Sequence, residues 1–137
     1  MNGKLSDKIK ELEQYLDELS SILPNSLDEY KANFEKKAAC ERYFEKIIEA
    51  IVDVSFLIIS EKGLKIPEED KEAFDILMQE NILSAELAQR LKDAKGMRNI
   101  LAHQYGVVDD EIVFQSITEE LERDAEEFLT AIKKKMR

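Results

Sequence analysis

The chain is predicted to be all-α, an antiparallel bundle of four or five helices, and three observations predict it. Of its 137 residues 36% are charged, with four glycines and two prolines, a composition of long solvated helices rather than of strands and turns. Apolar residues recur at steps of three and four through most of the sequence. The junctions between these runs carry proline, glycine or a capping residue. The length and the 44% apolar content suit a single helical domain over residues 1–137, whose core closes without disulfides or structural metal.

The first helix is expected over about residues 4–22, where Leu5, Ile9, Leu12, Leu16, Leu19 and Leu23 share one face. Pro24-Asn25-Ser26 ends it, and Ser26 with Glu29 has capping-box spacing for the next helix. That second helix reads as one long element to Lys62, carrying Phe34, Phe44, Ile47, Ile48, Ile51, Val54, Ile58 and Ile59, with Gly63 as a left-handed stop. Its apolar band covers more than one face, which fits either a central position or contact with a second subunit. Pro67 followed by Glu68-Glu69-Asp70 marks a third, short helix start, with Phe74, Leu77 and Met78 inward. Ser84 caps a fourth through Leu87, Leu91, Ala94 and Leu101 to about His103, with Gly96 weakening it by about 1 kcal/mol and Gly106 near its end. The fifth begins near Asp109 or Asp110, presents Ile117, Leu121, Ala125, Phe128 and Ile132, and ends in Lys133-Lys134-Lys135 at the negative helix terminus.

Charge and cysteine usage exclude several classes. The longest apolar stretch, Ala50 to Ile59, is interrupted by Asp53 and falls well short of the roughly 20 residues a bilayer span needs. No membrane association is expected, and the N-terminus has no hydrophobic signal region, so the cytoplasm is the expected compartment. Cys40 stands alone and cannot form an internal disulfide. One histidine and one cysteine cannot make a Cys/His zinc site, and neither a calcium loop nor a glycine-rich phosphate loop is present, so no cofactor is expected. A net charge of −10 opposes broad attraction to nucleic acid. The distribution is uneven, however. Residues 90–105 carry Arg90, Lys92, Lys95 and Arg98 against Asp93 alone, whereas in residues 107–132 nine carboxylates face only Arg123.

The basic segment holds the candidate site. Arg98-Asn-Ile-Leu-Ala-His103-Gln-Tyr105 brings an arginine, the single histidine and a tyrosine within eight residues. Guanidinium groups hold phosphate by paired charged hydrogen bonds, imidazole moves protons near neutral pH, and a phenol can be modified, which together point to a phosphodiester or nucleotide target. On a straight helix Arg98 and Tyr105 share a face while His103 lies about 140° from Arg98, so convergence requires the helix to loosen near His103 or a second protomer to contribute a group. Asn99, four residues before His103, is placed to orient the imidazole. A purely structural reading stays open beside this one: Arg98 paired with an acid such as Asp53 or Glu45, His103 merely favouring the negative helix end, and Lys92 and Lys95 on a solvated face.

The Arg98-x(4)-His103-x-Tyr105 string resembles the signature of HepT-like toxins, a branch of the HEPN superfamily of helical ribonucleases. Glu41-Arg42, Glu49-Ala-x-x-Asp53, Gly63-Leu-x-x-Pro67, Ala73-Phe74, Met97-Arg98-Asn99 and Val108-Asp109 extend the resemblance over about residues 5–132. It implies a HEPN-like bundle and the toxin of a type VII toxin–antitoxin pair: a homodimeric, metal-independent endoribonuclease cutting RNA, partnered by an MntA-like minimal nucleotidyltransferase antitoxin. By the same resemblance Arg98 would bind the scissile phosphate, His103 would transfer protons, and Tyr105 would receive AMP, whose bulk and charge would block the site. The alternative class is a non-catalytic helical subunit that presents substrate or nucleotide to the nucleotidyltransferase, with Arg98 a phosphate anchor. A third is a bare dimerisation bundle.

Overall fold

The computed structural model describes residues 3–103 and 108–136, and every regular element among them is helical. The elements are α1 (Gly3–Ile22), α2 (Leu27–Ala32), α3 (Phe34–Glu61), α4 (Asp70–Gln79), α5 (Ala85–His103), α6 (Asp110–Gln115) and α7 (Leu121–Lys135), with one π-helical turn, Ser116–Glu120, joining the last two. The all-α bundle expected from the sequence is therefore observed. Among the described residues, no helix is long and apolar enough to cross a membrane.

The long helices run antiparallel, as the side-chain pairs between them require. Lys8 meets Asp53 at 3.3 Å while Tyr15 meets the ring of Tyr43, so α1 and α3 run in opposite directions. Glu49 meets Arg98, and the start of α3 lies beside Leu101 and Ala102, which fixes α5 antiparallel to α3. Arg90 reaches Asp124 on α7 while Leu101 lies near Val108 and Asp110, so the α6–α7 rod reverses against α5.

α1 buries Leu5, Ile9, Leu12, Leu16 and Leu19, the face its periodicity predicts. α3 is central and packs against α1, α2, α4, α5 and the π turn. Its wide apolar band, Phe44, Ile47, Ile48, Ile51, Val52 and Val54, is buried by these neighbours within one chain. The width of that band is thus explained by a central position and requires no second subunit.

Three boundaries differ from the sequence expectation. The expected second helix is two helices, because Asn33 leaves the helical region (φ −111°, ψ 92°) and its side chain accepts from the Lys36 N–H at 3.0 Å, capping α3. Phe34, expected inward, consequently falls at the first position of α3 and is 77% exposed. α4 starts at Asp70, with Glu69 at its N-cap, rather than at Pro67. The final rod contains an extra residue per turn at Ser116–Glu120, where the Leu121 N–H reaches the Ser116 carbonyl. The other signals hold. Ser26 accepts from the Glu29 N–H at 3.1 Å, although Glu29 reaches back to the N–H of Asn25 rather than of Ser26. Ser84 accepts from the Leu87 N–H at 3.1 Å, Asp109 caps α6, and Gly63 adopts φ 69°, a conformation open to glycine at little cost.

Candidate active site

Arg98, Asn99 and His103 lie on the last two turns of α5, which remains helical through His103. The helix does not loosen before the histidine. Arg98 and His103 therefore keep the separation of about 140° that a regular helix imposes. Arg98 faces α3, in a cleft of about 360 Å³ whose lining includes Glu49, Asp53, Phe56, Asp70 and Lys95 but not His103. His103 is the exposed last residue of α5. Tyr105 and Gly106 lie outside the described residues.

The surroundings of Arg98 are specific. Its Nη2 donates to Glu49 Oε1 and its Nη1 to Asn99 Oδ1 at 3.3 Å. Its Nε is buried and has no hydrogen-bond partner among the described residues, an uncommon state for a charged donor. The acid that pairs with Arg98 is Glu49 and not Asp53 or Glu45. Asp53 is held by Lys8 at 3.3 Å and Glu45 by Arg42 at 3.3 Å. Glu45, Glu49 and Asp53 follow one another at four-residue steps along α3, and the axial alignment of α3 against α5 selects the middle one.

Asn99, expected to orient the imidazole, has its oxygen engaged elsewhere: it accepts from Lys95 Nζ at 3.1 Å as well as from Arg98. Lys95 is not on a solvated face. It is 7% exposed, four residues beyond buried Leu91, and its ammonium reaches Asp70 Oδ2 at 3.2 Å. Lys92, by contrast, is partly exposed and pairs with Asp75 at 2.8 Å. Glu49 and Asp70 are the participants that sequence reasoning left without a role. Glu49 stood in the quoted Glu49-Ala-x-x-Asp53 run, but three equally spaced acids gave no basis for choosing among them.

A second, wider cleft of about 650 Å³ flanks the same end of α5, between Lys37, Glu41 and Arg42 of α3 and Leu101 and Val108. Burial pushes the Glu41 carboxyl above the usual range; Lys37 opposes the shift, and Asp110 and Glu45 add to it. Lys37 pairs with Asp110 at 2.7 Å. Both clefts thus combine cations with carboxylates from α3 or its neighbours.

The family model described as "Ribonuclease HepT-like" matches residues 12–132 of this chain. The chain belongs to the HepT-like family. Among HepT-like relatives it is similar to a tRNA nuclease HepT of Aphanizomenon flos-aquae, 32% identical over 83% of this chain and 78% of that protein. It is 26% identical to an mRNA nuclease HepT of Shewanella oneidensis, over 97% of this chain and 98% of the relative. The fold superimposes with a TM-score of 0.91 on the tri-AMPylated HEPN toxin of Shewanella oneidensis in complex with an MNT antitoxin, at 26% identity, covering 98% of this chain and 99% of that one.

Proposed function

We propose that this HepT-like chain, as one helical domain over residues 1–137, is the RNA-cutting toxin of a type VII toxin–antitoxin pair acting in the cytoplasm. The observation that carries the reading is the Arg98-x(4)-His103-x-Tyr105 string, whose Arg98 and His103 lie on the exposed end of a core helix, in a chain of the ribonuclease HepT-like family. Arg98 holds the scissile phosphate and meets the charge that develops on its oxygens as the 2′-hydroxyl attacks. His103 accepts the hydroxyl proton, and a second imidazole protonates the departing 5′-oxygen, leaving a 2′,3′-cyclic phosphate and a 5′-hydroxyl. A chain with one histidine obtains the second from a twin protomer. The angular separation of Arg98 and His103 supports that homodimer.

Tyr105 is the switch. An MntA-like nucleotidyltransferase transfers AMP from ATP to its phenolic oxygen with release of pyrophosphate, and the added phosphate competes with RNA for Arg98. The test is cleavage of RNA by the parent, His103→Ala and Arg98→Ala, with the product ends identified. Loss of cyclic-phosphate products in His103→Ala, with unchanged thermal melting, is the expected result; equal cleavage by that variant overturns the assignment. Incubation with the transferase and ATP adds whole AMP increments to the intact mass, and Tyr105→Phe abolishes them.

The non-catalytic reading is favoured by one observation: Lys37, Arg42, Lys95 and Arg98, the described cations of the two clefts, are all already paired with acids. Purified chain that binds the transferase or a nucleotide and never cuts RNA would establish it instead.

A further inference from the structure

We infer that Glu49 is a resident competitor for the phosphate-binding edge of Arg98, a gating carboxylate that RNA must displace before it is cut; the inference rests on the functional reading above. A guanidinium presents two parallel N–H groups along the edge that carries Nε and Nη2, the pair that grips a phosphate bidentately. In the free chain that edge is half used. Nη2 donates to Glu49 Oε1, while Nε, buried in the protein, has no partner among the described residues. A single carboxylate oxygen therefore occupies a fork shaped for two.

The relative exposure of the partners decides which of them moves. The Arg98 side chain is 20% exposed and is steadied by Asn99, whereas the Glu49 side chain is 38% exposed and has no second partner among the described residues. Glu49 can swing into water at the mouth of the cleft while Arg98 stays in place. The pair is part-buried and its carboxylate already reaches water, so little burial is lost when it opens, and a bidentate charged contact exceeds a single one, which favours exchange of carboxylate for phosphate. An anion unable to engage both N–H groups gains no such advantage. Glu49 thus raises the threshold for binding and reserves Arg98 for a phosphodiester backbone that other contacts hold in the cleft, which suits a protein of net charge −10 that must not bind anions indiscriminately.

The experiment measures binding of a fully 2′-O-methylated RNA oligonucleotide, which cannot be cut, to the full chain across a salt series. Glu49→Gln and Glu49→Ala are expected to bind about two- to fivefold more tightly than the parent, Ala at least as tightly as Gln. Their affinity should also fall more steeply with salt, because a released Glu49 takes up a cation in place of one the RNA sheds; the slope of log affinity against log salt steepens by up to about 0.7. The gain should vanish when Arg98→Ala is added. Equal or weaker binding by both Glu49 variants, with Arg98→Ala still weakening the parent, makes Glu49 a brace and overturns the gate while the functional reading survives. A gain that persists without Arg98 reduces the effect to bulk charge and overturns it as well. Arg98→Ala binding like the parent removes Arg98 from phosphate recognition, and both readings fail together.

Discussion

The two halves of α5 divide the labour of one helix. Its first half, to Lys95, buries Leu87, Ala88 and Leu91, and Arg90 ties it to α7 through Asp124, at 2.9 Å, and Glu127. Its second half contains no buried residue: from Gly96 to His103 every side chain is at least partly exposed. The second half is therefore held by continuity with the first, by its own backbone hydrogen bonds, by the partly buried Met97 and Leu101 packed against the core, and by the ion pair of Arg98 with Glu49. A functional group placed on the extension of a core helix takes its position from the core, here with only Met97 and Leu101 still packed against it, and so a guanidinium and an imidazole are fixed at defined angles.

That contrast predicts opposite outcomes for substitutions a few residues apart. In the second half His103→Ala should lower RNA cleavage by about 100- to 10,000-fold, the usual worth of a proton-transferring group, and leave the melting temperature unchanged. Arg98→Lys keeps the charge and loses the planar fork, so a smaller fall of about 10- to 100-fold is expected, the value of one charge-assisted hydrogen bond. In the first half Leu91→Ala should cost about 2–5 kcal/mol in denaturant unfolding and leave cleavage per folded molecule near the parent value. If Leu91→Ala instead lost cleavage without losing stability, the two halves would not be separable.

The first half of α5 was also the more legible in the sequence. Leu87 and Leu91, like the five leucines and isoleucines of α1, announce their face by spacing, and Ser26, Ser84, Asp109 and Gly63 announce helix ends by side-chain chemistry or backbone freedom. What stayed hidden was local competition. The apolar period runs on through residues 27–62, so Asn33 shows no interruption in pattern, yet its side chain satisfies an α3 N–H and breaks the helix there. The π turn is similarly silent, because Ile117, Leu121 and Ala125 remain inward across it. At the site, residue types were readable and partners were not. Lys95 looked solvated by composition, but it follows Leu91 by four residues on the buried stripe, and its burial depends on Asp70 and Asn99 being placed by α4 and α5 to receive its ammonium. Partner choice among Glu45, Glu49 and Asp53 depends on how two helices align along their axes, information that no single helix contains.

The smallest expected effect gives the sharpest version of the comparison, because the core has an unpartnered buried polar atom of its own. Besides Arg98 Nε, the hydroxyl of Tyr30 is buried with no hydrogen-bond partner among the described residues, in a side chain with 0% exposure whose ring lies 5.3 Å from that of Phe114. Burial, reinforced by the charges of Glu41 and Asp110, pushes this phenol far above its ordinary range, so it stays protonated, with a donor and acceptor that have lost water and gained nothing. Tyr30→Phe removes only that cost and keeps the ring contact, so stability should be unchanged or rise by up to about 1 kcal/mol in equilibrium unfolding. Cleavage should match the parent. Arg98 carries the same kind of orphaned donor, but at the rim of a cleft and on a group that can take a phosphate, and its substitution should do the reverse, leaving stability and removing activity. A Tyr30→Phe variant that lost more than about 1 kcal/mol would mean the hydroxyl has a partner after all. An unpaired buried atom would then mark function only at the exposed end of α5 and not within the core.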